Sequence, residues 1–484
     1  MDVLIVGAGP TGLVLAYVLA RLGIPVRIID KTSEAGTTSR ALAVQTRTLE
    51  FYRQLGIADD VVRAGLEMNK ANLWRGGERL VHIDFGRLGD MHTPYPFGLI
   101  FPQDEHERFL IARLKELNVE IERETELLDF QAHDDRVTVR TNRWSSDAVF
   151  VAGCDGARST VREKLGIGFA GGTYEHMFYV ADADASGPFV NRELNVSIDT
   201  SDFLAVFPLK AEGRVRLIGT IRANAEAAKK LEWDDVSQET LERLRIDVHR
   251  VNWFSTYHVH HRVASRFRSG RLFLLGDAAH IHSPVGGQGM NTGIGDAINL
   301  AWKLAAVIRN RAPMRILDTY EPERIGFARR LVGTTDRVFQ FVTKSGPLAA
   351  FVRTRVAPYV IGAAFRFLPV RRFMFRTVSQ TAINYRDSAL SEGHAGKLHG
   401  GDRLPWISDP DNFAPLRSLD WQMHVYGSAN RKLIASCESR GIPVHVFPAN
   451  DFARDASFLI RPDGYIGLAG AALGQYLDSR ELRS

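Results

Sequence analysis

The chain opens with short apolar runs that alternate with a stretch of helical periodicity. Residues 3–6 and 26–29 are mainly apolar, and between them apolar residues recur at helical spacing from Leu13 to Ala20. Continuous apolarity is typical of parallel strands that are covered on both faces. The first thirty residues therefore predict a strand–helix–strand unit.

Similar patterns predict further helices and strands that would extend this strand–helix–strand unit. Helices are predicted over 46–55, 58–65, 104–117 and 291–309. Strands are predicted over 119–122, 148–152 and 271–275, with a hairpin over 126–131 and 136–140. These elements indicate an α/β fold.

The pattern changes in the middle of the chain. Several segments between residues 169 and 268 alternate apolar with polar residues, which predicts a separate antiparallel sheet inserted into the first unit. A mostly helical region over 314–385 follows, with interruptions at three prolines, and residues 400–415 are rich in Gly, Pro and Asp, which indicates a boundary. We therefore predict a split first domain, 1–168 and 269–399, that includes a helical extension, an inserted β-sheet domain, 169–268, and a small α/β domain, 400–484.

Composition narrows the class of protein. The 484 residues exceed one typical core, and contents of 45% hydrophobic and 24% charged residues are ordinary for a globular protein. Cys154 and Cys437 are the only cysteines, which excludes a disulfide framework, a zinc ribbon and a redox-active dithiol. The N-terminus has no signal-peptide pattern, and no apolar run reaches the roughly 18 residues of a spanning helix. We expect a cytoplasmic monomer or homodimer without stable membrane insertion.

A formal net charge of +5 is small for this length, so we expect no nucleic-acid partner. Arginines concentrate in residues 351–376, where they are interleaved with phenylalanines. The favoured interpretation is a helical region that packs its aromatic rings and solvates its arginines. Docking on a membrane surface and binding of an anionic partner stay open as alternatives.

Gly7, Gly9 and Gly12 form a G-x-G-x-x-G motif between the first predicted strand and helix. Gly7 permits a tight turn, Gly9 lets the backbone approach a pyrophosphate, and Gly12 lets the helix pack closely on the strand. The helix N-terminus then faces the phosphates. Asp30 follows the second strand, where its carboxylate can accept a bond from a ribose hydroxyl group and disfavours a 2′-phosphate.

Two further turns follow predicted strands. Residues 154–162, CDGARSTVR, indicate a strand-to-helix turn in which a serine or threonine caps the next helix. Residues 276–291 contain GDAAH and then a glycine-rich loop that opens a long helix. The start of that helix would offer free N–H groups and a positive dipole to a carbonyl oxygen or an anionic ring. His280 and His282 have no acidic or cysteine partner at ligand spacing, so we expect no metal site.

The three motifs together resemble those of the class A FAD-dependent aromatic hydroxylases, which are flavoprotein monooxygenases, and within them the phenol, aromatic polyketide and rifampicin hydroxylase branch. The glycine motif is similar to the family's pyrophosphate loop, residues 154–162 to its DG motif, and residues 276–291 to its GD motif. NYRDS at 384–388 and RPDGY at 461–465 resemble further elements of that branch. The resemblance covers nearly the whole chain. It implies a Rossmann-like FAD-binding domain, an inserted antiparallel substrate domain, a helical region and a thioredoxin-like C-terminal domain.

The resemblance also implies which residues bind noncovalent FAD. The DG motif would contact both FAD and the incoming nicotinamide cofactor, and the aspartate of the GD motif would hold the ribityl chain. Asp30 stands where the family usually has glutamate, which shortens the reach but keeps the acceptor. The implied cofactor-binding residues are Gly7, Gly9, Thr11, Gly12, Asp30, Lys31, Arg40, Gln103, Leu127, Asp155, Arg158, Asp277, Pro284, Gly287, Gly289, Met290 and Asn291.

The implied reaction is hydroxylation of a phenolic or polyketide-like aromatic molecule with NAD(P)H and O2, through a flavin C4a-hydroperoxide. No second G-x-G-x-x-G motif is present, so NAD(P)H is expected to bind transiently near Arg158. Half-ionising a phenol at pH 7 needs a pKa shift of about 3, or about 4 kcal/mol. An exposed ion pair supplies about 0–1 kcal/mol, so buried donors or a histidine relay would be needed. The sequence assigns no catalytic base among its histidines.

Two alternatives differ in chemistry. Another flavin oxidoreductase, such as a halogenase or a dehydrogenase, would share the N-terminal motifs, but the WxWxIP motif of flavin-dependent halogenases does not occur here. A redox-silent FAD-binding module would hold the cofactor without oxidising NAD(P)H. The substrate is not specified by the motifs, because variable residues on the inserted sheet line the sites of this family.

Overall fold

A computed structural model of the chain describes residues 1–36, 41–75, 77–85, 88, 92–198, 203–221, 231–282, 287–343, 352, 356–450, 453–470 and 472–483. Its strands are β1 (Val3–Val6), β2 (Val26–Ile29), β3 (Ala43–Val44), β4 (Leu66–Met68), β5 (Lys70–Arg75), β6 (Glu78–Asp84), β7 (Gly98–Ile100), β8 (Ile121–Glu122), β9 (Leu127–Ala132), β10 (Val137–Thr141), β11 (Ser145–Ala148), β12 (Phe150–Gly153), β13 (Phe169–Ser186), β14 (Leu194–Ile198), β15 (Phe203–Pro208), β16 (Arg214–Ile221), β17 (Asp247–Ala264), β18 (Arg268–Ser269), β19 (Leu272–Leu274), β20 (His280–Ile281), β21 (Glu392–Ala395), β22 (Leu398–His399), β23 (Gln422–Tyr426), β24 (Val444–Phe447), β25 (Ala456–Ile460) and β26 (Ile466–Ala469). Its helices are α1 (Pro10–Arg21), α2 (Thr46–Gln54), α3 (Ala58–Ala64), α4 (Gln103–Glu116), α5 (Thr160–Lys164), α6 (Gln238–Arg243), α7 (Gly289–Ile308), α8 (Tyr320–Thr343), α9 (Ala357–Ala364), α10 (Leu368–Val378), α11 (Arg431–Glu438) and α12 (Leu473–Arg480).

A six-stranded sheet carries the glycine motif, with the strand order β18-β19-β12-β1-β2-β8. Strands β19, β12, β1, β2 and β8 are parallel, and β18 is antiparallel to β19. Every residue of β1 and β12 is buried, as expected for strands that are covered on both faces. The predicted strand–helix–strand unit is confirmed, with β1, α1 and β2 in that order.

An eight-stranded sheet has the order β20-β17-β13-β16-β15-β14-β5-β6. Its neighbours are antiparallel except for β14 and β5, which are parallel. The sequence pattern predicts no strand over residues 70–84, yet β5 and β6 lie there and extend the sheet. Because β5 pairs with a strand more than a hundred residues away, no local pattern reveals that partner.

The two faces of the eight-stranded sheet contact different neighbours. On one face, Tyr179 packs in a cluster with Leu241 of α6. On the other face, Phe178 packs in a cluster with Leu42, which precedes β3, and with Ile100 of β7. Successive residues of a strand point to opposite faces, so β13 contributes to both clusters. The second face therefore lies toward the layer that holds the glycine motif.

A six-stranded sheet near the C-terminus has the order β22-β21-β26-β25-β23-β24. Strands β23 and β24 are parallel and flank α11 in the chain, whereas β25 is antiparallel to both β23 and β26. The segment after residue 420 therefore combines strands with helices α11 and α12. Cys437 lies buried in α11, and the apolar core of the first sheet continues without a break to Leu482.

A buried ionic network joins the RPDGY segment to helices α7 and α8. Arg461 donates to both carboxylate oxygens of Glu323, at 2.8 and 3.0 Å, and to those of Asp463, at 3.0 and 2.6 Å. Lys303 Nζ donates to Glu323 at 2.7 Å, and Trp302 Nε1 donates to Asp463 at 3.2 Å. Burial raises the pKa of Glu323, but Arg461 and Lys303 outweigh it and hold that pKa well below its usual range. Paired charges thus fix the C-terminal sheet on the helices.

The helical region between these sheets is confirmed where the structure describes it. Pro358 and Pro369 lie in the first turns of α9 and α10, where a missing N–H group is tolerated. Pro347 lies outside the described residues. None of the helices described here is both long and apolar enough to cross a membrane.

Candidate active site

The carboxyl ends of four parallel strands bring the three motifs to one edge of the six-stranded sheet. Gly7 follows β1, Asp30 follows β2, Cys154 follows β12, and Gly276 lies just after β19. The chain leaves β1 toward β2 on one side and later returns on the other side with β12. Open α/β sheets bind their ligands in the crevice at such a reversal of strand order.

The glycine loop is packed against the DG turn on one side and is open on the other. Gly7 has φ of 103°, and a Cβ atom on it would lie 2.4 Å from the carbonyl oxygen of Cys154. A Cβ atom on Gly12 would lie 2.0 Å from the carbonyl oxygen of Gly7. A Cβ atom on Gly9 would meet no atom of the described residues within 4 Å, and α1 begins at Pro10 without a side-chain cap. The first amides of α1 thus border a space that suits a pyrophosphate.

Asp30 is held beside this loop by its own neighbours. Its Oδ2 atom accepts from the backbone N–H of Ala8 at 2.7 Å, and its Oδ1 atom accepts from the backbone N–H and Oγ1 of Thr32 at 2.9 and 2.7 Å. Arg123 lies 3.8 Å from Oδ1. Lys31 follows with an exposed side chain. Each carboxylate oxygen accepts up to two bonds, so Oδ2 keeps the capacity to accept from a ribose hydroxyl group.

The DG turn places a buried carboxylate next to the glycine loop. Asp155 Oδ2 accepts from the backbone N–H of Val161 at 3.1 Å, whereas Oδ1 is buried without a hydrogen-bond partner among the described residues. Burial raises the pKa of Asp155, and hydrogen bonds from Ser159 and Val161 offset part of that rise. Ser159 also accepts from the backbone N–H of Arg162 at 3.0 Å, which confirms the predicted cap. A ligand hydroxyl group would satisfy the unpartnered Oδ1 atom.

The GD turn is packed against α1 and α7. Gly276 has φ of 57°, and a Cβ atom on it would lie 2.6 Å from Thr11 Oγ1. A Cβ atom on Gly293 of α7 would lie 2.2 Å from the same atom. The backbone N–H of Gly276 donates to Asp296 Oδ2 at 3.0 Å, which fixes the turn on α7. Asp277 follows with an exposed side chain.

Asn291, in the first turn of α7, is engaged by the chain itself. Its Oδ1 atom accepts from the backbone N–H of Gln45 and from Thr48 Oγ1, both at 2.8 Å. Its Nδ2 atom donates to the carbonyl oxygens of Ala43 and Gly287, at 2.8 and 2.9 Å. The side chain is buried, so Asn291 joins the glycine-rich loop to β3 and α2.

The face of the eight-stranded sheet that points toward the first layer is aromatic. Its cluster includes Phe178, Phe203, Phe207, Trp253, Tyr257 and Tyr174. Arg216 lies in one cross-strand row with Phe207, Asp182 and Trp253. Its Nε and Nη2 atoms donate to Asp182 at 2.6 and 2.7 Å, and Nη1 donates to the carbonyl oxygen of Ala41 at 3.4 Å. The side chain of Arg216 is 2% exposed, so the face carries an ion pair whose arginine is buried.

Residues 1–335 match the family described as FAD binding domain. The chain belongs to this family. It is 39% identical over 412 residues to the 6-methylpretetramide 4-monooxygenase of Streptomyces rimosus, which covers 81% of this chain and 71% of the relative. It is 31% identical to a rifampicin monooxygenase of Streptomyces venezuelae over 97% of this chain and 95% of the relative. The protein is thus a FAD-dependent aromatic monooxygenase that uses NAD(P)H, as the motifs predict.

Solved structures of two hydroxylases are similar to this protein over nearly their whole length, which agrees with its assignment as a monooxygenase. The OxyS anhydrotetracycline hydroxylase from Streptomyces rimosus superimposes with a TM-score of 0.78 at 27% identity, over 100% of this chain and 99% of that one. CabE, an aromatic hydroxylase from angucycline biosynthesis, superimposes with a TM-score of 0.79 at 26% identity over the same shares. The relatives favour the monooxygenase over the halogenase, the dehydrogenase and the redox-silent module.

The described site of the monooxygenase fits FAD on three observations. The space at Gly9 suits the pyrophosphate, Asp30 has an acceptor lone pair at the loop, and Asp155 Oδ1 lacks a partner. Each of these groups matches the chemistry of a dinucleotide, which presents phosphate oxygens and several hydroxyl groups.

Two further predicted residues lie near this crevice. Gln103 begins α4, and its Nε2 atom donates to Glu107 at 2.8 Å. Leu127 begins β9 with its side chain buried. The backbone N–H of Thr125, two residues earlier, donates to the carbonyl oxygen of Asp30 at 2.9 Å. The start of β9 therefore lies beside the predicted ribose site of the monooxygenase.

The remaining predicted residues differ in their exposure, and two of them lie outside the described residues. Gly289 and Met290 form the first turn of α7 and are half-buried. Arg158 is exposed in the DG turn of the monooxygenase. Arg40 and Pro284 lie outside the described residues.

Arg162 connects two of the motifs, a role that sequence reasoning missed. Its Nη1 atom donates to the carbonyl oxygen of Ala278 in the GD turn at 3.0 Å, and Nη2 donates to that of Ala157 in the DG turn at 2.9 Å. Its guanidinium lies 3.9 Å from the ring centroid of Phe169. The arginine lies within the DG motif of the monooxygenase, but the sequence does not show which backbone it reaches.

Asp296 is a second residue of the monooxygenase that sequence reasoning missed. Its Oδ2 atom is 2.7 Å from His280 Nε2, and its Oδ1 atom accepts from Arg324 Nε at 2.6 Å. Burial raises the pKa of Asp296, but Arg324 and His280 outweigh it and lower that pKa. The ionised carboxylate therefore holds the backbone of Gly276. In the sequence, Asp296 is the one acidic residue within the otherwise mainly apolar α7, and this pattern could have indicated its role.

Proposed function

We propose that this monooxygenase hydroxylates a flat, phenolic, polyketide-like aromatic held between the aromatic face of the eight-stranded sheet and the edge that carries the motifs. The ion pair of the buried Arg216 with the half-buried Asp182 on that face is the observation that supports this most directly. The names of two relatives, 6-methylpretetramide 4-monooxygenase and anhydrotetracycline monooxygenase, support the substrate class. O2 is the proposed source of the inserted oxygen.

The proposed FAD contacts are the residues predicted from the motifs. The open loop at Gly9 would hold the pyrophosphate, Asp30 the adenosine ribose, and Asp277 the ribityl chain, with Asp155 Oδ1 near a hydroxyl group. Bound FAD would supply hydride acceptance from NAD(P)H and oxygen transfer to the substrate. Arg158, exposed in the DG turn, is proposed to grip a phosphate of the nicotinamide cofactor, since a guanidinium can bind phosphate through two parallel bonds.

Arg216 is proposed to stabilise the phenolate form of the substrate. A half-ionised phenol at pH 7 needs about 4 kcal/mol of stabilisation. A hydrogen bond to a charged group contributes about 1.5–3 kcal/mol, and burial strengthens it further. Arg216 Nη1 carries two N–H groups and makes one long bond of 3.4 Å to Ala41, so it has the capacity to donate to a ligand oxygen while the bonds to Asp182 are kept.

The proposed domain division follows the predicted boundaries, 1–168 with 269–399, 169–268, and 400–484. Strands β13 to β17 of the sheet lie inside the middle range, which supports a substrate domain there. The parallel pair β23 and β24 and the antiparallel β25 and β26, with α11 and α12, support a thioredoxin-like C-terminal domain.

The test is rapid-mixing absorbance of flavin reduction by NAD(P)H with a panel of phenols and polycyclic aromatics. A true substrate accelerates reduction, and its hydroxylated product is identified by mass spectrometry. Arg216→Met is expected to lower kcat/KM for a phenolic substrate by about 100-fold, or about 2.7 kcal/mol, with FAD content unchanged. The matched control is Arg214→Met, whose arginine pairs with Asp184 on the same strands but is 44% exposed. Equal losses in both variants, or no response to any aromatic, would reject the proposal.

A further inference from the structure

One segment of the sequence is rich in both basic and apolar residues. From Arg337 to Arg386 the sequence contains nine basic residues and no aspartate or glutamate. The whole chain has a formal net charge of +5, so all other residues together have a net charge of −4. Positive charge is therefore concentrated in one tenth of the chain.

The exposed apolar side chains concentrate in the same place. Nine large hydrophobic residues are exposed in the part of the chain that the structure describes, and six of them lie between residues 356 and 373. They are Val356, Tyr359, Val360, Phe367, Val370 and Phe373. Tyr359, Phe367 and Phe373 are 66%, 65% and 71% exposed. We call these six residues, with Arg366 and Arg376, the basic aromatic patch.

Both helices beneath the patch are anchored on their other side. Phe375 of α10 is buried in a cluster with Leu88, and Arg372 Nε donates to the carbonyl oxygen of Leu88 at 2.9 Å. On α9, a Cβ atom on Gly362 would lie 3.8 Å from the carbonyl oxygen of Leu80 in β6. Other residues therefore pack these two helices on the rest of the protein. The exposed apolar side chains of the patch are not needed for that packing.

The charge of the patch restricts what can cover it. Arg366 and Arg376 are exposed and form no ion pair with any described residue. A second copy of the chain docked patch against patch would bring arginines against arginines, which is repulsive. Short helices that expose aromatic and aliphatic residues beside arginines have the composition of segments that lie in the interface of an anionic bilayer.

We infer that the basic aromatic patch docks the enzyme on an anionic lipid surface. Tyr359, Phe367 and Phe373 enter the boundary between headgroups and acyl chains, and Arg366 and Arg376 contact the lipid phosphates. The association is peripheral, because it uses side chains of two short helices. The association is independent of the proposed substrate.

The test is sedimentation of the FAD-bound, full-length enzyme with sucrose-loaded vesicles of phosphatidylcholine, alone or with about 30% phosphatidylglycerol. The bound fraction is expected to be at least about fivefold higher on the anionic vesicles and to fall steeply at about 0.5 M salt. Phe367→Ser with Phe373→Ser is expected to weaken binding by about tenfold with every arginine retained. Flavin absorbance and NAD(P)H oxidation are expected to stay unchanged, which separates this result from a failure of the catalytic proposal.

The matched control is Met314→Ser with Val446→Ser, which removes two exposed hydrophobic residues outside the patch. This control is expected to bind vesicles as the wild type does. Equal binding by both double variants, or equal binding to neutral and anionic vesicles, would overturn the inference. Dimerisation of the wild type that the phenylalanine substitutions abolish would overturn it as well, because the patch would then contact a second copy.

Discussion

Replacing Arg461 with methionine is expected to destabilise the attachment of the C-terminal sheet to helices α7 and α8. Arg461 is fully buried and makes four bonds to the carboxylates of Glu323 and Asp463. Methionine has a similar length but no charge, so both carboxylates stay buried with fewer donors. Glu323 keeps Lys303, at 2.7 Å, and Asp463 keeps Trp302 Nε1.

Removal of one partner from a buried ion pair costs about 3–5 kcal/mol, because the other charge stays buried without compensation. The expected loss in the free energy of unfolding is therefore about 3–5 kcal/mol at neutral pH. The pKa of Glu323 is held below its usual range in the folded chain, so its ion pairs stabilise the fold above the unfolded pKa of about 4.3. That contribution is lost as pH falls further, and the difference between wild type and variant should shrink below about pH 4.

The assay is urea unfolding of the FAD-bound protein at a fixed FAD concentration, since bound ligand adds stability by mass action. Arg311→Met is the matched control, because Arg311 also reaches the C-terminal unit, through Asp420 at 3.4 Å, but this pair is 41% and 56% exposed. The control is expected to cost about 0–1 kcal/mol. If Arg461→Met costs no more than the control at neutral pH, the network does not hold the C-terminal sheet in place.

Three further changes test the site and the network. Gly12→Ala is expected to abolish FAD binding, since its Cβ atom would lie 2.0 Å from the Gly7 carbonyl oxygen; flavin content after purification measures this, and a fully yellow variant would contradict it. Arg158→Ala is expected to raise the NAD(P)H concentration for half-maximal flavin reduction about tenfold at unchanged FAD content, and unchanged stopped-flow kinetics would reject the role. Burial lowers the pKa of Lys303 to about 8, so between about pH 8 and 10 the unfolded chain binds a proton that the folded chain has lost. Stability of the wild type relative to Lys303→Met should therefore rise over that range of pH in urea unfolding, and a flat difference would refute the shifted pKa.

The glycine motif and the cap at Ser159 show which features local sequence determines. The glycine motif needs residues without a side chain at Gly7 and Gly12, because a Cβ atom at either would collide with backbone. That requirement is local, so the motif can be recognised from the sequence together with the flanking apolar runs. The same holds for the capping Ser159, whose hydroxyl group bonds an amide three residues away.

The roles of several site residues depend on partners that are distant in the chain. The motifs imply that Asn291 binds FAD, yet its side-chain bonds are all made to residues 43–48 and to Gly287. Arg216 and Asp182 become neighbours only through the pairing of β13 with β16. Side-chain chemistry alone does not reveal such partners, because their distance is set by the packing of whole sheets.

The sequence by itself determined the glycine motif and the strands and helices around it, since these follow from steric requirements and periodicities within a few residues. The family and the cofactor followed from the resemblance of its three motifs to those of a known family. The tertiary structure alone decided that β5 joins the sheet beside β14, that Asp296 supports the GD turn, and that Arg461 joins the C-terminal sheet to α8. Each of these contacts spans twenty or more residues. Their geometry arises when burial of apolar surface brings the layers together, and buried polar groups must then find partners wherever the chain has placed them.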